Sequence, residues 1–337
     1  MGEPATKLVG GGPVLDRSYS LNVVGDWGEA NFHRILCWIT QEFADRAGPR
    51  TRTAIWSWRG GGMEGFQMVE DGEAHLAIAT PANLMSSALT GEGIFNGRKY
   101  SHLRALATLP QNDRIVLALD PSLGCKTFAD IRAKKPKMKI VLPPDSLDSA
   151  TGYVSNRYLE AHGISAADII AWGGEIIAPR NGRADQCLIP AQDPNSGITA
   201  VIQEAIMTPW WDLIIDQRGF IPIPAEQKVL EQLHKTLPGL GPGTLPAGYW
   251  KSLKEELPTL TFNDFVMFVR DDLPDDVVYL ITWLLDQTKW VINSQYQHIP
   301  QDKCPLGYPF EPEKMCITPL PLHPAAEKYW RESGALK

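Results

Sequence analysis

Short apolar runs recur along this chain, each closed by a glycine- or proline-bearing turn and followed by a helical apolar rhythm, and that order confines it to α/β construction. Residues 21–24 read as a strand entering the turn Gly25-Asp26-Trp27-Gly28, after which Phe32, Ile35, Leu36, Ile39 and Phe43 carry helical spacing. A second strand over 51–57 meets a glycine turn and a helix over 63–71. A third, over 74–79, ends at Thr80-Pro81-Ala82-Asn83. Strand ends that lead repeatedly into helices imply parallel strands, and ligands of such sheets sit outside the carboxyl ends of the strands.

The pattern restarts in the centre. Residues 114–119 form a strand, Thr127 caps a helix over 128–133, and 139–142 form a strand before the loop 143–152 and a helix over 153–161. The sequence also predicts a strand over 185–189, a loop over 190–194 and a helix running toward Met207. Residues 265–269 read as a strand. Proline and early acidic residues over 271–276 then open a helix over 277–288 whose apolar face suits a return to the first lobe. The expected division is a first α/β lobe over 1–113, a second over 114–267, and a return strand with C-terminal helices over 268–337, with a cleft between the lobes. Residues 237–248, rich in proline and glycine, read as an ordered connection because aromatic residues continue through Tyr249-Trp250.

The most chemically loaded stretch is Trp56-Ser57-Trp58-Arg59-Gly60-Gly61-Gly62-Met63-Glu64. A guanidinium and three glycines just before a helix bring backbone N–H groups and a fixed positive charge to one point, a setting suited to a carboxylate. A solvated surface turn would use the same residues. Trp27, Trp56 and Trp58 could enclose an aromatic or extended apolar body, or pack in the core.

With 44% hydrophobic and 21% charged residues, 337 residues can bury a sizeable core. A formal charge of -7 offers no global attraction to nucleic acid or anionic lipid, and no apolar run reaches membrane-spanning length. The first residues, MGEPATKLVGGGPVLDRS, lack the continuous apolar core of an export signal, which predicts a cytoplasmic chain as written and a periplasmic one if a leader precedes it. Cys37, Cys125, Cys187, Cys304 and Cys316 lack CxxC spacing and read as reduced thiols, with Cys304 and Cys316 able to close a loop in an oxidising compartment. His33 and Cys37 stand at i,i+4 without further local ligands, so no metal is expected and Cys37 reads as buried. Dinucleotide and phosphate-loop glycine patterns are missing from qualifying strand ends, so no cofactor is expected.

Five segments in order then carry a resemblance: RGGGMEGFQMVEDGEAHLAIA at 59–79, LPPDSLDSATGYVSNRYLEAHGIS at 142–165, GPGTLPAGYW at 241–250, DDLPDDVVYLITWLLD at 271–286 and PLHPAAEKYWRESG at 321–334. Together they resemble the TAXI-type solute receptors of tripartite (TRAP) transporters, a branch of the type II periplasmic-binding-protein fold, in the form of a cytoplasmic divergent member. The resemblance implies a small organic ligand enclosed between two lobes, facing loops 25–32, 58–63, 80–83, 145–151 and 190–194. Ligand contacts would then fall on Trp27, Trp58, Arg59, Gly60, Gly61, Gly62, Met63, Asn83, Ser146, Ser149, Thr151, Gln192 and Asp193. The loops GDWGEANF and DSLDSAT are bulkier and more acidic than the family's small turns. The resemblance also implies transporter membrane subunits as partners if the chain is exported. Exposed apolar helices leave a homodimer open; nucleic acid and membrane insertion are not expected.

Two functions fit these residues. One is reversible binding of a small organic carboxylate, aromatic or aliphatic. The other is a cofactor-independent enzyme, such as a decarboxylase, lyase, isomerase or hydrolase, in which Arg59 orients an organic acid and Asp26, His33 or Asp148 moves a proton. Helix capping would also explain Asp26 and Asp148, and turn geometry Asp193.

Overall fold

The computed structural model describes residues 11–26, 31–58, 63–146, 149–179, 184–205, 209–300, 304 and 310–337. The chain divides into two compact units. Unit 1 comprises residues 1–111 and 264–337, and unit 2 comprises 112–263. The chain therefore crosses between them twice, at Gln111-Asn112 and at Asn263-Asp264.

Unit 1 contains β1 (Ser20–Asp26), α1 (Asn31–Asp45), β2 (Arg52–Trp58), α2 (Glu64–Glu70), β3 (Leu76–Ala79) and β4 (Leu103–Leu109). Unit 2 follows with β5 (Arg114–Leu119), α3 (Phe128–Lys134), β6 (Lys139–Val141), α4 (Ala150–Ala161), α5 (Ala166–Ala171) and β7 (Glu175–Ile177). It continues through α6 (Ala184–Gln192), β8 (Ala200–Glu204), α7 (Pro209–Asp212), β9 (Ile221–Pro222), α8 (Gln227–Thr236), β10 (Pro242–Leu245) and β11 (Leu257–Thr261). The chain then re-enters unit 1 as β12 (Phe265–Arg270), α9 (Asp275–Gln287), α10 (Trp290–Tyr296), α11 (Pro312–Met315) and α12 (Pro324–Glu332).

The unit 1 sheet has the order β2-β1-β3-β12-β4. β1 pairs in parallel with β2 and β3, and β12 runs antiparallel between β3 and β4. One face is covered by α1, whose Ile35, Leu36, Ile39 and Phe43 are fully buried, and by α9, whose Val277, Leu280, Ile281 and Leu284 share that core. The helical apolar spacing of both segments is thus spent on one core. The Pro321-Leu322-His323-Pro324 segment docks on β4: Ala105 N–H donates to the Pro321 carbonyl at 2.8 Å, and His323 N–H donates to the Ala105 carbonyl at 2.9 Å. His323 itself is buried and caps α12, its Nδ1 accepting from Ala325 N–H at 3.2 Å.

Unit 2 carries the order β10-β11-β5-β8-β6-β7, with β9 also on β5. β6 is parallel to β7 and β8, and β5 is antiparallel to β8. Thr127 caps α3 in a full capping box with Asp130. Trp211 is buried and lies 5.6 Å from Trp250 between ring centroids, so it packs within unit 2.

Two expected elements are corrected. Residues 184–192 form α6 rather than a strand, because Ala184, Cys187, Leu188 and Ala191 bury one helical stripe, although Pro190 inside it removes one intrahelical hydrogen bond. The segment after Pro194 is a short 3-10 turn over Pro194–Ser196 followed by β8, not a helix. A short apolar run such as Cys187-Leu188-Ile189 has the same pattern in either structure, and tertiary burial decided it. Within 237–248, residues 242–245 form the edge strand β10, which admits proline at its first position.

Candidate functional site

Parallel pairing brings the carboxyl ends of β1, β2 and β3 to one edge of the unit 1 sheet. Asp26 is the last residue of β1 and stands in register with Trp58, the last of β2. Asp26 is therefore strand backbone and not the cap of α1, which starts at Asn31. The loop after β3 is held by the returning chain: Thr80 Oγ1 and Ala82 N–H both donate to the Asp264 carbonyl at 2.9 Å, and Asp264 Oδ1 accepts from Gln111 N–H at 3.0 Å. Asp264 has φ 66°, a left-handed conformation that aspartate tolerates better than most residues. Asn83 is exposed on the 3-10 helix that follows. Met63 is buried at the start of α2. Trp27, Arg59, Gly60, Gly61, Gly62 and Asp148 lie outside the described residues.

In unit 2 the loop after β6 carries Ser146, half-buried, and Ser149, buried. Ser149 is the N-cap of α4 and accepts from Gly152 N–H at 2.9 Å. The N–H groups of the first turn have no intrahelical acceptor, and an anion at such a twelve-residue helix end meets both free donors and the positive end of the dipole. Replacing Ser149 with alanine is expected to cost about 1 kcal/mol of stability, read by urea denaturation; an unchanged midpoint would mean that the cap contributes nothing. Thr151, buried in the next position but one, donates its hydroxyl to Glu204 Oε1 at 2.5 Å.

Glu204 is the residue that sequence reasoning missed. It ends β8 fully enclosed and pairs across the ladder with Ile115, while Asp113, the second residue of unit 2, is buried just before β5. Burial pushes the Glu204 carboxyl up to about 7, against the opposing hydrogen bond from Thr151. Burial, and then the charge of Glu204, raise Asp113 well above the usual carboxylate range. The only trace in the sequence is an acid at the end of each apolar run, which ordinarily marks a solvated strand end.

Gln192 and Asp193 belong elsewhere. Gln192 ends α6 and Asp193 follows it, leading into the amino end of β8, where Thr199 N–H donates to the Lys139 carbonyl at the start of β6. The expected loop 190–194 is therefore at the opposite end of the unit 2 sheet from Ser149 and Thr151. Asp193 serves a turn there, accepting from Asn195 N–H at 2.8 Å. The strand end missed in its place is that of β7, whose loop leads into the amino end of α6.

His33, in the first turn of α1, lies 3.4 Å from Ser57 Oγ and lines an open groove of about 370 Å³ with Arg34, Cys37, Trp38 and Val291. Cys37 is exposed, contrary to expectation, because it falls on the outer face of α1. No disulfide is found among the described residues. Among the described residues, no cluster of three or more histidine, cysteine or acidic side chains could hold a metal ion, and no helix is long and apolar enough to cross a membrane.

Solved structures share this architecture. A protein of Bordetella bronchiseptica RB50 matches with TM-score 0.50 and 14% identity over 94% of this chain and 89% of its own. The periplasmic binding protein BugD matches with TM-score 0.52 and 11% identity over 94% of this chain and 95% of its own. The fold is thus the two-lobed α/β fold of the type II periplasmic binding proteins. The sequence model of the NMT1-like family matches residues 50–334, and the chain belongs to that family.

Proposed function

We propose that this protein is a receptor for a small organic carboxylate, an aromatic one being the first candidate. The observation that carries the reading is the fold it shares, over nearly its whole length, with BugD, a periplasmic binding protein. The sequence Arg59-Gly60-Gly61-Gly62 after β2 supports a carboxylate, since a guanidinium fork beside glycine N–H groups matches that group's geometry. In unit 2 the first turn of α4, capped by Ser149, supports the same chemistry. The five segments resembling TAXI-type receptors further support a periplasmic place and transporter membrane subunits as partners, in preference to the cytoplasmic place read from the first residues.

The test is incubation of the purified protein with a pooled library of aromatic and aliphatic carboxylates, followed by mass spectrometry of bound and free pools. Retention of one unchanged acid is expected. Arg59→Ala should then weaken its binding about 30- to 100-fold, the worth of a charge-assisted pair of hydrogen bonds, with Arg59→Lys recovering part of the loss. Failure to retain any acid would overturn the receptor reading. Conversion of an acid into a product would replace it with the enzyme that uses Asp26, His33 or Asp148.

A further inference from the structure

We propose that His162 is an acid-released latch in unit 2: its neutral ring joins the last turn of α4 to the residue that opens α8, and a proton on that ring breaks the join. His162 is the C-cap of α4 and only 1% exposed. Its Nδ1 lies 2.7 Å from the Tyr158 carbonyl, one turn back on the same helix. On the other side the backbone N–H of Glu226, the N-cap of α8, donates to His162 Nε2 at 3.1 Å. A carbonyl can only accept and a backbone N–H can only donate, so Nδ1 carries the hydrogen and Nε2 is bare. The neutral ring therefore uses both nitrogens, and backbone groups on two helices fix its tautomer.

The ring is also enclosed. Phe128 of α3 stacks on it with centroids 3.7 Å and planes 18° apart, and Tyr158 meets it edge-on with centroids at 4.5 Å. Arg132 of α3 ties the same two helix ends: its Nη1 donates to the His162 carbonyl at 2.8 Å, and its Nη2 to Glu226 Oε1 at 2.6 Å. Of the charged groups around the ring, the Glu226 carboxylate favours an imidazolium and the Arg132 guanidinium opposes it, and these two are paired with each other. Tyr158, the titratable group that faces the ring from α4, stays neutral because burial raises its phenol.

A further proton has only Nε2 to go to. There it would set N–H against the Glu226 N–H, two donors face to face in a site closed to water. The charged ring is relieved only when the start of α8 moves away. Leu230 and Leu233 are buried and hold the remainder of that helix, so the movement falls on its first turn. Burial holds the ring's pKa below the ordinary 6.5, against the Tyr158 carbonyl and the Glu226 charge, which raise it. The opened chain accepts a proton near 6.5 and the latched chain only at lower pH. The latch thus contributes its full stability above about 6.5 and loses it as pH falls from there through the folded value.

Nitrogen NMR of the imidazoles and amide hydrogen exchange, both on the solute-free protein, test the latch separately from the receptor reading. At about pH 8 the His162 ring should show a protonated Nδ1 and a bare Nε2, and its titration midpoint should lie below 6.5. Protection of the Glu226 amide, corrected for intrinsic exchange, should drop about tenfold between about pH 8 and pH 5. His162→Gln has no proton to gain, so it should abolish that pH dependence and flatten the melting-temperature profile over the same range. Glu226→Gln keeps the backbone N–H and removes the negative charge, so it should move the His162 midpoint further down. That movement distinguishes a titrating ring from a merely structural histidine. A midpoint at or above 6.5, hydrogen on Nε2 at about pH 8, or the wild-type pH dependence retained in His162→Gln would overturn the proposal.

Discussion

Gly152→Ala is expected to destabilise unit 2 by about 3 kcal/mol or more, the upper range for overpacking. The sign is the informative part, since alanine in place of glycine inside a helix ordinarily stabilises by about 1 kcal/mol. Here a Cβ on Gly152 would stand 1.9 Å from the Pro144 carbonyl oxygen and 2.9 Å from Ser149 Oγ. The obstacle is backbone and cannot swing aside. The loop is also pinned, because Asn156 Nδ2 donates to the Pro143 carbonyl at 3.1 Å and to the Gly152 carbonyl at 2.8 Å. Relief would require the loop after β6 to lift off the first turn of α4, dislodging the Ser149 cap and the Thr151 contact with Glu204. Urea denaturation reads the loss. An alanine variant as stable as the wild type would show that the loop does not approach the helix so closely.

Trp330→Ala is expected to cost unit 1 about 3–5 kcal/mol, lowering the melting temperature by about 10 °C. Trp330 is fully buried on α12, its ring centroid 5.4 Å from that of Tyr329, and its Nε1–H donates to the Leu106 carbonyl of β4 at 2.8 Å. Truncation removes the largest side chain at this contact and leaves a strand carbonyl without its donor. Trp330→Phe separates the two contributions by keeping most of the bulk and losing only the hydrogen bond, worth about 1 kcal/mol. Equal losses in both variants would assign the effect to the bond. A small loss in both would mean that α12 is dispensable to the core.

Much of the scaffold was legible because local patterns and tertiary burial agree. Ile35, Leu36, Ile39 and Phe43 announced the buried face of α1, and Thr127 announced the start of α3; each signal is contained within a few turns of chain. The residues 184–192 were not legible, because a run as short as Cys187-Leu188-Ile189 satisfies a strand or a helix equally. That one misreading carried Gln192 and Asp193 to the wrong end of the unit 2 sheet. Cys37 reads as a buried thiol in a sequence with no further metal ligands near it, yet the helical rotation turns it outward.

The sequence by itself determined the alternation of strands and helices, two α/β units and the periplasmic-binding-protein fold, since these rest on local periodicity and on ordered motifs. It also offers Arg59 and its glycines as the proposed chemistry for a carboxylate, at positions outside the described residues. Only the tertiary structure decided that Glu204 is buried at the end of β8 and that the Thr151 hydroxyl, on α4, donates to it. The reason is physical: an acid at the edge of an apolar run is solvated or buried according to what other segments lay over it. Burial, and with it the proton, belongs to the packing rather than to any local stretch of chain.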